Sequence, residues 1–171
     1  MSPSGNTANK LDTSIVWLGR AISWCVPIMA LLVLVIVVLR YGFNTGAIAA
    51  QESVQYLHAA IFMLGAAVTL GADQHVRVDI FYRSFTPRQQ AWVNALGHVV
   101  FTLPLCGLIG WGSLDYVVDS WSAREASPEP GGLPFVYLLK GLIPAMAALL
   151  ALQALSQLLS ALDVLRQKDA W

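Results

Sequence analysis

Charge is scarce in this chain of 171 residues. Lysine, arginine, aspartate and glutamate together make up 12% of it, against about a quarter in an ordinary soluble domain. Ten basic and ten acidic side chains cancel to a formal net charge of zero, so no basic surface favours nucleic acid. Cysteine is nearly missing. Cys25 and Cys106 fall in two different apolar runs, where they read as small packing residues rather than a disulfide pair. There is no internal repeat, no low-complexity tract and no long polar linker. A nucleotide-binding glycine loop, a nucleophile–base arrangement and a metal-ligand spacing are also lacking, which argues against an enzyme and against a resident cofactor.

Apolar residues fill the space that charge leaves. They form 57% of the chain, and the mean hydropathy is +0.62. The sequence predicts an all-α integral membrane protein, a single domain over residues 1–171, with four transmembrane helices at about 17–39, 52–72, 89–114 and 134–162. Residues 1–14 read as a flexible cytoplasmic tail. The first run carries no charge from Ala21 to Leu39, close to the ~20 residues that cross a bilayer. It is too long for the apolar core of a secretory signal, about 7–15 residues, and reads as a retained span. Thr86-Pro87-Arg88-Gln89 is a capping box with proline at the first helical position, and it opens the third span. Pro104 should kink that span unless packing absorbs the missing hydrogen bond. SPEPGGLP, before the fourth span, is a run of turn formers that blocks helix.

The basic residues set the orientation. Lys10, Arg20, Arg77, Arg83, Arg88, Arg166 and Lys168 flank one side of the spans; Arg40, Arg124 and Lys140 belong to the other. The positive-inside rule then puts both termini in the cytoplasm. Trp17, Trp24, Trp92, Trp111 and Trp121 lie near predicted span ends, where amphipathic rings settle.

Few residues could carry chemistry. Glu52, expected in the first turn of the second span, is an intramembrane carboxylate and hence a functional candidate. In that first turn the helix dipole favours an anion. A capping or interhelical role at the interface is therefore preferred over contact with a partner subunit, and either over proton coupling. Gln153, Ser156, Gln157 and Ser160 follow helical spacing along one face of span four, which either packs within the bundle or docks on another membrane protein. Lys140 either snorkels toward headgroups or pairs with an acid on a partner. Gly107 and Gly110 in span three, and Ala59, Gly65, Ala66 and Thr69 in span two, would let helices approach closely. After span two, His75, Arg77 and Asp79 make a polar knot. His75 and Asp79 would share a face if helical, but no further metal ligand is near. VRVDIFYRSF, from Val76, reads as a short interfacial elbow lying against lipid headgroups. His58 and His98 sit in neighbouring spans and raise a haem-anchor alternative. Their depths differ by about 13 Å at the helical rise, too much for two axial ligands of one haem.

Arg40-Tyr41-Gly42-Phe43-Asn44 after span one, Glu52 opening span two and FMLGAA within it are one part of an ordered set. HVRVDIFY after span two and ASPEPGGLPFVYLLKGLIP into span four complete it. The set resembles the small membrane subunit (DctQ-like) of the tripartite ATP-independent periplasmic (TRAP) transporters of bacteria, in the same order and across nearly the whole chain from span one onward. One departure lies at Gly46–Ala50, where relatives often place proline and tryptophan.

The resemblance implies a multi-pass subunit of the bacterial inner membrane that works in a sodium-driven importer of organic acids. A periplasmic binding protein would capture the carboxylate substrate. A large multi-span subunit would hold the substrate and sodium sites. The small subunit would brace it, binding neither sodium nor substrate. Glu52, Lys140 and the span-four stripe then become candidates for the inter-subunit seam, and Arg40, Asn44, His75, Arg77 and Asp79 for structural motifs at the membrane surface. A respiratory membrane anchor is the alternative. A self-sufficient proton-coupled exporter is disfavoured, because span one contains no acid.

Overall fold

The computed structural model describes Thr13, residues 15–74 and residues 82–166. Four helices are long and apolar enough to cross a membrane: α1 (Ile15–Gly42), α2 (Ile48–Gly71), α3 (Pro87–Ser122) and α4 (Val136–Arg166). Each begins or ends a few residues away from the limits expected from hydropathy. The largest difference is in α3, which continues past the expected stop near residue 114. The added piece, Leu114–Ser122, follows a break at Ser113 and is amphipathic. Val117 and Ser120 are buried in it while Asp115 and Asp119 face outward. Hydropathy alone loses such a helix where its outer face turns polar.

Proline and glycine shape the helices locally. The capping box is formed: Gln89 N–H donates to Thr86 Oγ1 at 3.4 Å and Thr86 N–H donates to Gln89 Oε1 at 2.9 Å. Pro104 is accommodated by a wide π-helical turn over His98–Thr102, closed by Leu103 N–H on the His98 carbonyl. The extra residue relieves the demand for a donor that proline lacks. Pro144 stays inside α4, leaving the Lys140 carbonyl without its usual intrahelical donor. Three helices stop on a non-glycine residue in the left-handed region, Asn44 (φ 51°), Asp73 (φ 55°) and Arg124 (φ 45°). Each turn brings an N–H back onto a helix carbonyl: Thr45 onto Leu39, Gln74 onto Thr69 and Glu125 onto Ser120, all at 3.0 Å.

The packing is an open row rather than a closed bundle. α4 is the hub, lying against α2 on one side and against the whole length of α3 on the other. The Cys25–Gly42 part of α1 packs extensively on α2 alone, and α2 and α3 share no extensive contact among the described residues. The seams are built from small residues. Ala67 and Ala154 are fully enclosed, and Ala91, Ala95, Ala147 and Ala161 are buried. A Cβ on Gly19 would stand 2.7 Å from Val68 Cγ1, which shows how closely α1 approaches α2. This is the packing expected in lipid, where close contact and polar links replace a hydrophobic drive between helices. Cys25 and Cys106 are free, as expected.

Candidate functional site

The end of the row that carries the α1–α2 and α3–α4 loops holds two polar clasps. The first centres on Glu52. α2 starts at Ile48, so Glu52 lies in its second turn, not in the first turn expected from the sequence. Its carboxylate reaches across to the α3–α4 loop. Ser127 Oγ donates to Oε1 in a short hydrogen bond, and Leu133 N–H donates to Oε2 at 2.6 Å. The loop is folded to meet it. Ser127 N–H donates to the Leu133 carbonyl at 3.0 Å, Glu129 N–H to Ser127 Oγ at 3.1 Å, and Gly132 N–H to the Glu129 carbonyl at 2.9 Å. Pro130 and Gly131 fill the middle of that last turn, with Gly131 at φ 82°, the position where a left-handed residue is required.

The second clasp joins α3 to α4. Lys140 Nζ pairs with Glu125 Oε2 at 2.5 Å and lies 4.0 Å from the centre of the Tyr116 ring. The ammonium holds the Glu125 carboxyl below the usual carboxylate range. Trp121 packs edge-on against Tyr137, with ring centres 5.2 Å apart. Gly141 leaves room for the indole, since a Cβ there would be 3.3 Å from Trp121 Nε1. Lys140 thus finds its acid within the chain, in the loop that follows α3, and its aromatic partner Tyr116 on the amphipathic extension.

A third polar link lies lower, between α4 and the far end of α2. Gln157 Nε2 donates to the Leu70 carbonyl at 2.6 Å. Gln153 is 2% exposed and packs against Gly71, where a Cβ would stand 3.1 Å from the amide. Ser156 is 1% exposed. Ser160 faces outward but donates to the Ser156 carbonyl at 3.1 Å. Gln153 and Ser156 are therefore closed off by this chain's own helices, Gln157 is bonded to α2, and Ser160 is the member of the stripe that stays open. Beside it, a groove of about 920 Å³ runs between α3, α4 and the end of α2. Its polar lining is bonded internally: Asn94 Nδ2 donates to Tyr82 Oη at 2.9 Å, and His98 Nδ1 lies 3.4 Å from Thr102 Oγ1.

Arg40 occupies the last turn of α1, where a cation suits the helix dipole, and Asn44 makes the left-handed stop just after it. Both are exposed. His75, Arg77 and Asp79 lie outside the described residues, as do most of the expected tail at 1–14 and the first part of the expected elbow. Of that elbow, Tyr82–Ser84 is a short 3-10 turn, tied to α3 by Gln90 Nε2 donating to the Tyr82 carbonyl at 3.1 Å.

His58 and His98 do not face each other. His58 is exposed on α2, whereas His98 is 8% exposed on α3. The two helices share no extensive contact among the described residues, so the pair does not form one ligand set. His58 instead belongs to a feature the sequence reading missed: Gln51, Gln55 and His58, spaced four and three residues apart, are all exposed on one face of α2. The spacing itself was the available signal.

Comparison with known proteins places the chain in a family. The sequence model of the family described as "Tripartite ATP-independent periplasmic transporters, DctQ component" matches residues 29–164. A Haemophilus influenzae protein named as a TRAP transporter small permease is 30% identical over 115 residues, covering 65% of this chain and 71% of that protein. No solved structure matches the chain.

Proposed function

This chain belongs to the DctQ-component family of tripartite ATP-independent periplasmic transporters, and we propose that it is the scaffold subunit of a sodium-coupled importer of organic acids. In this reading it sits in the bacterial inner membrane with both termini in the cytoplasm, and the two clasps lie at the periplasmic face. It braces a large multi-span subunit, which carries the carboxylate substrate and the sodium ions. A periplasmic binding protein delivers the substrate to the pair.

One observation carries the scaffold role. The ionic and amide groups that stood out in the spans are spent on joining helices: Glu52 to the α3–α4 loop, Lys140 to Glu125, and Gln157 to α2. A proton or cation path needs polar groups that can change partners across the membrane. Here they lock a row in place.

The test is reconstitution. This chain, produced with its large subunit and binding protein, is expected to co-purify with the large subunit and to support sodium-dependent uptake of a carboxylate into liposomes. The chain alone is expected to move nothing. Uptake by the isolated chain, or full activity of the large subunit without it, would overturn the reading.

A further inference from the structure

The line of α2 that carries Gln51, Gln55 and His58 continues through exposed Phe62 and half-buried Gly65 and Thr69. These follow at the same alternating spacing of four and three residues, so one line of side chains runs the length of the helix. From Gln51 to Thr69 it measures about 27 Å at the helical rise, nearly the full hydrocarbon thickness of about 30 Å. Its two halves differ. The half nearer the clasps carries two amides and an imidazole, none with a side-chain hydrogen bond among the described residues. His58 lies about 9 Å along the helix from Glu52, deeper in the span than the clasps. The other half is a groove of about 640 Å³, with Gly65 and Thr69 on its floor and Gly19, Ser23 and Val26 of α1 on its wall. A Cβ on Gly65 would meet nothing within 4 Å, and Thr69 turns its hydroxyl back onto the Gly65 carbonyl at 2.9 Å.

Lipid tails cannot satisfy His58, the deepest of the three polar groups, and have no preference for the second half. Polar side chains in the membrane seek partners on other helices, and a floor of small residues lets a helix backbone come close. We infer that this face of α2 receives one membrane-spanning helix of the large partner subunit, seated lengthwise. That helix offers hydrogen-bonding groups to Gln51, Gln55 and His58, and its ridge fills the groove over Gly65. The inference rests on the reading of this chain as the small subunit of a multi-component transporter. A second copy of the chain is a poorer occupant. Copies sharing one orientation in the membrane would set groove against groove, leaving both unfilled.

The experiment places a photo-crosslinking amino acid at Gln55, at His58 and, for comparison, at Leu108 on α3, in the whole complex in native membranes. Leu108 is 73% exposed. Adducts with the large subunit are expected from 55 and 58 and not from 108. Adducts from 55 and 58 at twice the mass of this chain, or to lipid alone, overturn the inference. So does a large-subunit adduct from 108 only, although this last outcome leaves the scaffold reading standing. No adduct and no co-purification would bring down both. In parallel, Gln55→Leu and His58→Leu are each expected to lower the co-purified large subunit about threefold, the worth of one membrane hydrogen bond. The thermal stability of the isolated chain should hold or rise. A fall in that stability with unchanged co-purification counts against the inference.

Discussion

Gly132 makes the space that the Glu52 carboxylate fills: a Cβ on that glycine would stand 2.7 Å from Glu52 Oε1 and 2.6 Å from Ser127 Cβ. The missing side chain and the acid, 80 residues apart in sequence, form one joint. Gly132→Ala should push the loop off the carboxylate at an overpacking cost of about 1–3 kcal/mol. Glu52→Gln, which keeps the shape but loses the charge, should loosen the loop without the clash. Both effects are read as lower melting temperature and faster proteolysis within SPEPGGLP. An unchanged loop in both variants would refute the joint.

Acid should weaken the second clasp. Lys140 holds the Glu125 carboxyl below its ordinary value of 4.5. The pair therefore contributes stability that is fully present above that value and is lost as pH falls through the lower, folded value. A melting curve from pH 7 to pH 3 should fall at its acid end in the wild type. In Glu125→Gln the clasp's share of that fall should be missing, so the two curves converge in acid.

Gln157 supplies the hydrogen bond between α4 and the Leu70 carbonyl. Gln157→Leu should cost about 0.6 kcal/mol, and no more than about 1.7, as measured for single interhelical hydrogen bonds in membranes. Denaturation in mixed micelles gives the value. A cost well above that range would mean that the groove beside it collapses as well.

α1 is held by its close approach to α2. In Gly19→Val the new side chain meets Val68, whose branched Cβ leaves it little rotamer freedom. The expected result is release of α1 from the row, at about 1–3 kcal/mol, while α2, α3 and α4 stay assembled. A bismaleimide linker bridging cysteines placed at 23 and 65, which line the same groove, should then lose its product, while a pair across α3 and α4 keeps its own.

Arg124→Gly should stabilise the chain. Arg124 closes α3 at φ 45°, a conformation that costs an ordinary residue about 1–2 kcal/mol and glycine little. A rise in melting temperature with an unchanged Glu125–Lys140 pair would confirm that the strain is local.

The parts that could be read from sequence are those decided within a few residues. Thr86 and Gln89 are three positions apart, and their capping box is formed. The four apolar runs become four helices because a backbone in lipid must satisfy its own hydrogen bonds. The fate of Glu52 was hidden because its partners, Ser127 and Leu133, lie 75 and 81 residues away. Lys140 and Glu125 were hidden for a different reason: hydropathy ended α3 too early to bring the acid within reach. The two polar stripes differ most instructively. Helical spacing finds Gln153–Ser160 on α4 and Gln51–His58 on α2 equally well, but only the packing order shows which is enclosed. The open row itself has no local signature, since Ala67, Ala147 and Ala154 would serve a closed bundle just as well.

The open row also fixes an order of events during synthesis. α4 emerges last, yet it is the helix on which α2 and α3 depend. The α1–α2 hairpin can pair as soon as it enters the bilayer, but α3 must wait there without a neighbour, leaving Ala91, Ala95 and His98 uncovered until α4 arrives. Glu52 likewise has no loop to grip until Leu133 leaves the ribosome. A nascent chain stopped at the end of α3 is therefore two unjoined pieces, an open target for membrane quality-control proteases. A chain lacking only α1 keeps its hub.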